Sequence, residues 1–238
     1  MKEHPILFTG EMVKAILEGR KTQTRRVIKP QPFDVAQSRR LDNDGLLPTM
    51  ENPHTPKYIK CPYGKPGDVL WVRESFIPCT PGHQSCKIRD ATYVCYRDGT
   101  QKDKASGNVA PWQGPATAKW KKGYHKFSPS IHMPRWASRI SLTVTDVRVE
   151  RVQDISSDDA RAEGIGDENE WLPCPACGGA GVHGAFGEGY SVTEVDCSTC
   201  NTPRKAFRVL WDSINADRGF GWAENPWAWA VTFERIEE

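Results

Sequence analysis

The sequence predicts a β-rich α+β fold with short flanking helices and a cysteine-knuckle insertion. Three observations carry that expectation. Arg139 to Val152 alternates apolar and polar residues with period two, as a half-buried strand does. Helical periodicity is confined to short stretches near residues 11–19, 158–163 and 204–214. Between them lie Gly/Pro-punctuated polar segments and two Cys-x2-Cys pairs. At 238 residues the chain can bury one large core or two small ones.

Taken in order, Met12, Ile16 and Leu17 share one face of a first helix that Gly19 caps. Residues 21–28 are rich in Thr and Arg. The proline-rich stretch 31–65 is expected to be a surface loop excursion. Val69 to Glu74 reads as a strand opened by Gly67-Asp68, and Tyr93 to Tyr96 as a second. Residues 78–130 read as a basic, aromatic insertion. Ser156 and Ser157 signal the start of a helix over Asp158–Glu163, which Gly164 stops. Arg204–Ile214 is expected to turn Phe207, Leu210, Trp211 and Ile214 inward, and Trp227–Ile236 is expected to be the last strand. The whole reads as a single domain, 1–238, carrying these insertions.

Net charge is only +2, but its distribution is uneven. Residues 20–40 hold seven cations and one acid; residues 104–145 hold seven cations and no acid. Residues 154–170 reverse the balance, with seven acids and one Arg. Segregated positive charge is the usual footprint of a phosphate-bearing partner; solvated basic loops are the plainer alternative. Trp112, Trp120, Tyr124, Phe127 and Trp136 are interleaved with Lys119, Lys121, Lys122, Lys126 and Arg135. Aromatics stack bases while cations hold phosphates. For Trp136, Trp211, Trp227 and Trp229 the expectation is core packing instead. No apolar run approaches the roughly 18 residues of a membrane span, and no secretory signal is recognisable, so a cytoplasmic protein is expected.

Cys174, Cys177, Cys197 and Cys200 form two knuckles separated by nineteen residues, which include six glycines and almost no apolar core. Four thiolates at this spacing point to structural zinc, with metal binding supplying the stability of the 171–202 module. Cys61, Cys79, Cys86 and Cys95, with His54 and His83, are the candidates for a second metal site, but their spacing fits no usual knuckle, and two of them sit in apolar or strand context, where a free thiol behaves as a small hydrophobe.

Gly19-Arg20-Lys21-Thr22-Gln23-Thr24-Arg25-Arg26 reads G-x-K-x-x-T-x-R after a helix. With Phe8–Met12, Gly67–Glu74, Met133–Arg139, Asp159–Ile165 and Asn225–Trp227, it resembles the ASCH domain family, and in particular ASCH proteins of bacteriophages and prophages. The resemblance implies a PUA-like β-barrel beside a cleft for RNA or nucleotides. Some small bacterial members hydrolyse N4-acetylcytidine with a Lys, a Thr and a Glu. Lys21 and Thr24 match the first two, and Glu163 stands where the third belongs. In that chemistry Lys21 is the base, Thr24 the nucleophile and Glu163 the proton donor, with Arg26 orienting the base or holding the oxyanion.

The plainer reading makes Arg20, Lys21, Thr22, Arg25 and Arg26 phosphate or base contacts, and Glu163 an ion-pair partner of a loop arginine. Lys119, Trp120, Lys121, Lys122 and Arg135 join the expected ligand-binding set. The first expectation is therefore binding of RNA, single-stranded nucleic acid or a modified nucleoside. N4-acylcytidine hydrolysis is the second, and a phage protein–protein adaptor the third.

Overall fold

The computed structural model describes residues 1–32, 34–35, 41–52, 55–79, 87–111, 127–165, 174–178, 182–186 and 192–237. The chain divides into two compact units. The first comprises residues 1–14, 67–143 and 235–238; the second comprises 15–66 and 144–234.

In the first unit, β1 (Glu3–Leu7) pairs in parallel with β6 (Val69–Arg73), which pairs antiparallel with residues 141–143. A second, antiparallel sheet runs β10 (Val109–Pro111), β9 (Thr100–Asp103), β8 (Tyr93–Tyr96), β7 (Phe76–Cys79). β7 is buried throughout, and its Phe76 joins Val94, Tyr96, Met133 and Ala137 in one core, with Trp136 packed against it. The Tyr96 hydroxyl donates to the Ala137 carbonyl at 2.6 Å, so this buried phenol keeps a partner. Arg139 lies against the Tyr96 ring and makes a bidentate pair with Glu74. Strands β9 and β10 fall inside the segment read from sequence as an insertion. Their Gly99 and Gly107 turns bring together residues whose polar composition hides the pairing.

In the second unit, β2 (Gln23–Val27) pairs antiparallel with β14 (Trp227–Arg235), which neighbours the long strand β11 (Ser141–Arg151). β14 buries Trp227, Ala228, Trp229, Ala230, Val231 and Phe233, the near-continuous apolar run of a covered strand. The stretch 31–65 departs from the loop expected. It forms the antiparallel sheet β3 (Asp34–Val35), β4 (Leu46–Asn52), β5 (Thr55–Lys60), with Leu47 and Thr49 buried. Its prolines Pro48 and Pro56 sit within strands, which is why composition misled there.

Helix α1 (Gly10–Leu17) ends at Gly19, whose φ of 75° lets the amides of Arg20 and Lys21 reach the Ala15 carbonyl. Helix α2 (Ser157–Ala162) is capped by the Ser156 hydroxyl accepting from Asp159 N at 3.0 Å. Helix α3 (Pro203–Asn215) is capped by Thr202 and buries Ala206, Phe207, Leu210 and Trp211. Ile214, expected inward, is 38% exposed in the last turn of α3, where helical spacing alone supplies no neighbour to pack against. A hairpin, β12 (Val182–Phe186) with β13 (Val192–Asp196), links the two cysteine knuckles. Among the described residues every sheet has two free ends, so the expected closed barrel is not formed; the β-rich α+β class with few helices stands.

Candidate functional site

Two constellations in the second unit gather the residues singled out by sequence. The first is built where α1 hands over to β2. An isolated antiparallel bridge pairs Lys21 with Glu163, the residue that closes α2. Residues facing each other across such a bridge bring their side chains into contact range. Lys21 Nζ donates to Glu163 Oε2 at 2.8 Å and to the Glu163 carbonyl at 2.7 Å. Arg25, one of the β2 residues, donates to the other Glu163 oxygen at 3.3 Å, to Asp159 at 3.0 Å and to Glu150. Arg148 completes the set on the far side of Asp159, at 3.2 Å.

Three cations meet three carboxylates here, with Asp146 a fourth acid 3.6 Å from Arg148 on the solvent side; only the Lys21–Arg25–Glu163 centre is dry. The side chains of Lys21 and Arg25 are 0% exposed and that of Glu163 only 4%. Burial lowers the Lys21 ammonium from its ordinary value, the Glu163 carboxylate opposes this, and Arg26 and Arg25 add to it. Burial works against the Asp159 carboxylate, yet Arg25 and Arg148 outweigh it and hold Asp159 below its usual range. Gly164 follows at φ 92°; a Cβ there would lie 3.2 Å from the Cβ atoms of both Ala15 and Lys21. A glycine is therefore required both by backbone conformation and by the closeness of the Lys21 stem.

The remaining members of the motif divide by strand parity. Alternation places Gln23 and Arg25 on one face of β2 and Thr24 and Arg26 on the other. Consistent with this, Arg25 donates to Gln23 Oε1 at 2.6 Å, and Arg26 donates to the Thr24 hydroxyl at 2.7 Å. Thr24 is fully buried. Arg26 is half-buried, and its charge pulls down the Tyr63 phenol against the larger effect of burial. Arg20 is exposed and pairs with Glu18, with a further bond to the Gly164 carbonyl. Thr22 is exposed, and its backbone ties to Ala162 and Phe233. Arg135 belongs to the first unit, where it pairs bidentately with Glu3. Lys119, Trp120, Lys121 and Lys122 lie outside the described residues, as do Trp112 and Tyr124.

Sequence reasoning thus paired Glu163 with a loop arginine, and Arg25 fills that role. It missed Glu150, Asp159 and Arg148. A signal for them existed: the acid-rich 154–170 segment follows directly on a strand whose alternate residues include Arg148 and Glu150.

The second constellation is the four-cysteine cluster. The sulfurs of Cys174, Cys177, Cys197 and Cys200 all lie within 4.8 Å of one another, with Cys174 and Cys197 at 3.8 Å and Cys177 and Cys200 at 3.4 Å. A tetrahedral ion with metal–sulfur bonds of about 2.3 Å needs sulfurs roughly 3.8 Å apart. The donor set therefore fits a metal site. Although burial disfavours the Cys197 thiolate, the amides of Thr199 and Cys200 aimed at its sulfur outweigh that and lower its pKa. Burial and the neighbouring sulfurs push Cys200 the other way, as expected of thiols crowded together. Among the described residues this is the one cluster able to hold a metal.

The other cysteines behave as buried thiols. Burial pushes Cys61 up to about 12, and Cys79 and Cys95 meet at 3.8 Å in the first unit's core. Cys86, His54 and His83 lie outside the described residues.

No family model matches the chain, and no curated protein or solved structure is similar to it. None of the described helices is long and apolar enough to cross a membrane.

Proposed function

We propose that this chain is an ASCH-like protein that binds RNA or another single-stranded nucleic acid, with zinc in its four-cysteine cluster. The observation that weighs most for binding over chemistry is the burial of Lys21, Thr24 and Glu163. A nucleophile and its base must reach a substrate, whereas Lys21 and Glu163 are committed to each other inside a buried ion cage. The acid-free run of cations over residues 104–145 supports a phosphate-bearing partner. So do cations seated on aromatic faces in the first unit: Arg97 on Phe127 and Lys104 on Trp136. Four thiolates favour zinc, and a four-sulfur site is coordinatively closed, hence structural.

The test is a titration of labelled single-stranded RNA at several salt concentrations. Affinity should fall with salt, and neutralising Lys119, Lys121 and Lys122 together should flatten the log–log slope by about 2. Binding indifferent to both salt and these charges defeats the proposal.

A second reading keeps one observation in its favour. Lys21 is desolvated, with its pKa lowered, and sits 2.8 Å from Glu163, as a base and proton donor in N4-acetylcytidine hydrolysis require. Incubation with N4-acetylcytidine, with Lys21→Ala as control, decides it: cytidine release that the substitution abolishes establishes the enzyme.

A further inference from the structure

Helix α3 has two faces with different tasks. Ala206, Phe207, Leu210 and Trp211 are buried, while Lys205, Arg208, Asp212 and Ser213 recur on the opposite side at helical spacing. That outer face and the second cysteine knuckle, through Ser198 and Thr199, enclose a cavity of about 600 Å³. The volume is within the range of ligand sites. The site's chemistry sets it apart from a solvated crevice between two hydrophobic surfaces. Among the described residues its wall carries hydroxyls from both sides, two cations one helical turn apart and no aromatic ring.

Asp212, the one carboxylate among the described wall residues, is partly engaged: its Oδ1 accepts from Trp222 N at 2.6 Å, and its other oxygen stands 3.8 Å from Arg208. Lys205 Nζ donates to Asn201 at 3.0 Å and retains two further protons to donate. Ser213 gives its proton to the Leu210 carbonyl, leaving its lone pairs as acceptors. The described wall residues thus carry two cations against one carboxylate, a net single positive charge. A phosphodiester carries one negative charge, whereas a terminal phosphate carries nearly two. The described wall offers cations and hydroxyls and no aromatic platform for a base, which is the chemistry of backbone contact.

We infer that the groove between α3 and the Ser198–Thr199 knuckle is a sequence-independent seat for the sugar–phosphate backbone of a single-stranded nucleic acid. This rests on the nucleic-acid reading above and adds a second place of contact, remote in sequence from Lys21 and the basic insertion. The metal cluster has a part in it. Ser198 and Thr199 lie between two of the cysteines, so metal binding would hold one wall of the groove in position.

The experiment compares the intact protein with the double variant Lys205→Glu, Arg208→Glu, both exposed positions whose reversal leaves the buried face of α3 untouched. Anisotropy of a fluorescein-labelled oligouridylate is read across a salt series, with circular dichroism and metal content checked for both proteins. The expected result is a loss of affinity of roughly tenfold or more, and a log–log salt slope smaller by about 0.7, the share of the one phosphodiester seated there. An oligodeoxythymidylate should lose affinity by the same factor, because the phosphodiester is common to both. If the intact protein binds and the variant binds equally well, the groove is refuted and the nucleic-acid reading survives. A loss confined to one of the two oligomers refutes backbone recognition in favour of sugar or base contacts. If the intact protein binds neither oligomer, both proposals fall.

Discussion

Replacing Glu163 by Gln keeps the shape of the side chain and removes one charge from the centre of the ion cage. In the native arrangement that carboxylate, 4% exposed, receives Lys21 Nζ at 2.8 Å and Arg25 Nη1 at 3.3 Å. Removing one partner of a buried ion pair costs about 3–5 kcal/mol, because the remaining charge stays buried without compensation. Two features move the expectation to the lower end. Lys21 keeps the Glu163 backbone carbonyl at 2.7 Å, and Arg25 keeps Glu150 and Asp159. A loss of about 3 kcal/mol is therefore expected, a large share of the roughly 5–15 kcal/mol that holds a typical domain together.

Urea unfolding followed by tryptophan fluorescence measures it, since Trp211 and Trp229 are buried in the same unit. The midpoint should fall with little change in slope. Adding Lys21→Met should recover part of the loss, because removing both charges leaves no uncompensated ion. A cost below about 0.5 kcal/mol for Glu163→Gln, the size found for exposed pairs, would show that the carboxylate faces water and that the cage reasoning is wrong.

Gly164→Ala forces a side chain onto a φ of 92° and to 3.2 Å from Lys21 Cβ, so a loss of about 1–3 kcal/mol is expected from the same unfolding assay. Asp159 is held below its ordinary value in the folded protein. Its stabilising contribution is therefore complete above that ordinary value of 3.8 and disappears as pH falls through the lower folded-state value. Asp159→Asn should make stability less steep in acid, as read by urea midpoints at a series of pH values. Purified protein should release zinc to a chromophoric chelator, and Cys177→Ser should lower the amount retained. The module should then become protease-sensitive around the second knuckle, because little apolar core supports it without metal. Retention of full protease resistance after metal removal would contradict this.

Much of the scaffold was legible in local pattern. The alternation of residues 139–152 and the apolar run at 227–236 became β11 and β14, because period two and continuous hydrophobicity are each tied to one kind of burial. The capping signals at Gly19 and Ser156 are local hydrogen-bond chemistry, and α1 stops just before the first while α2 starts just after the second. The cysteine spacing announced a cluster, and the four sulfurs do converge. The sheet of residues 34–60 was hidden, because Pro48 and Pro56 imitate loop composition while their strands pair around them. The exposure of Ile214 was hidden for a different reason: helical periodicity continues to the end of α3 whether or not the last turn has anything to pack against.

By itself the sequence determined the residue types available to the site: Lys21, Thr24 and two arginines after a helix, Glu163 closing another, and four thiolates in pairs. These follow from spacing along the chain, which is a property of neighbours. Which of those residues meet was decided only by tertiary structure. The bridge from Lys21 to Glu163 spans 142 positions, and the contact between Arg25 and Glu150 spans 125. Strand parity then directed Arg25 to the carboxylates while Arg26 bonded Thr24. Buried charge is tolerated only where opposite charge comes within a few ångströms, and that condition depends on distance in space, which no local pattern encodes.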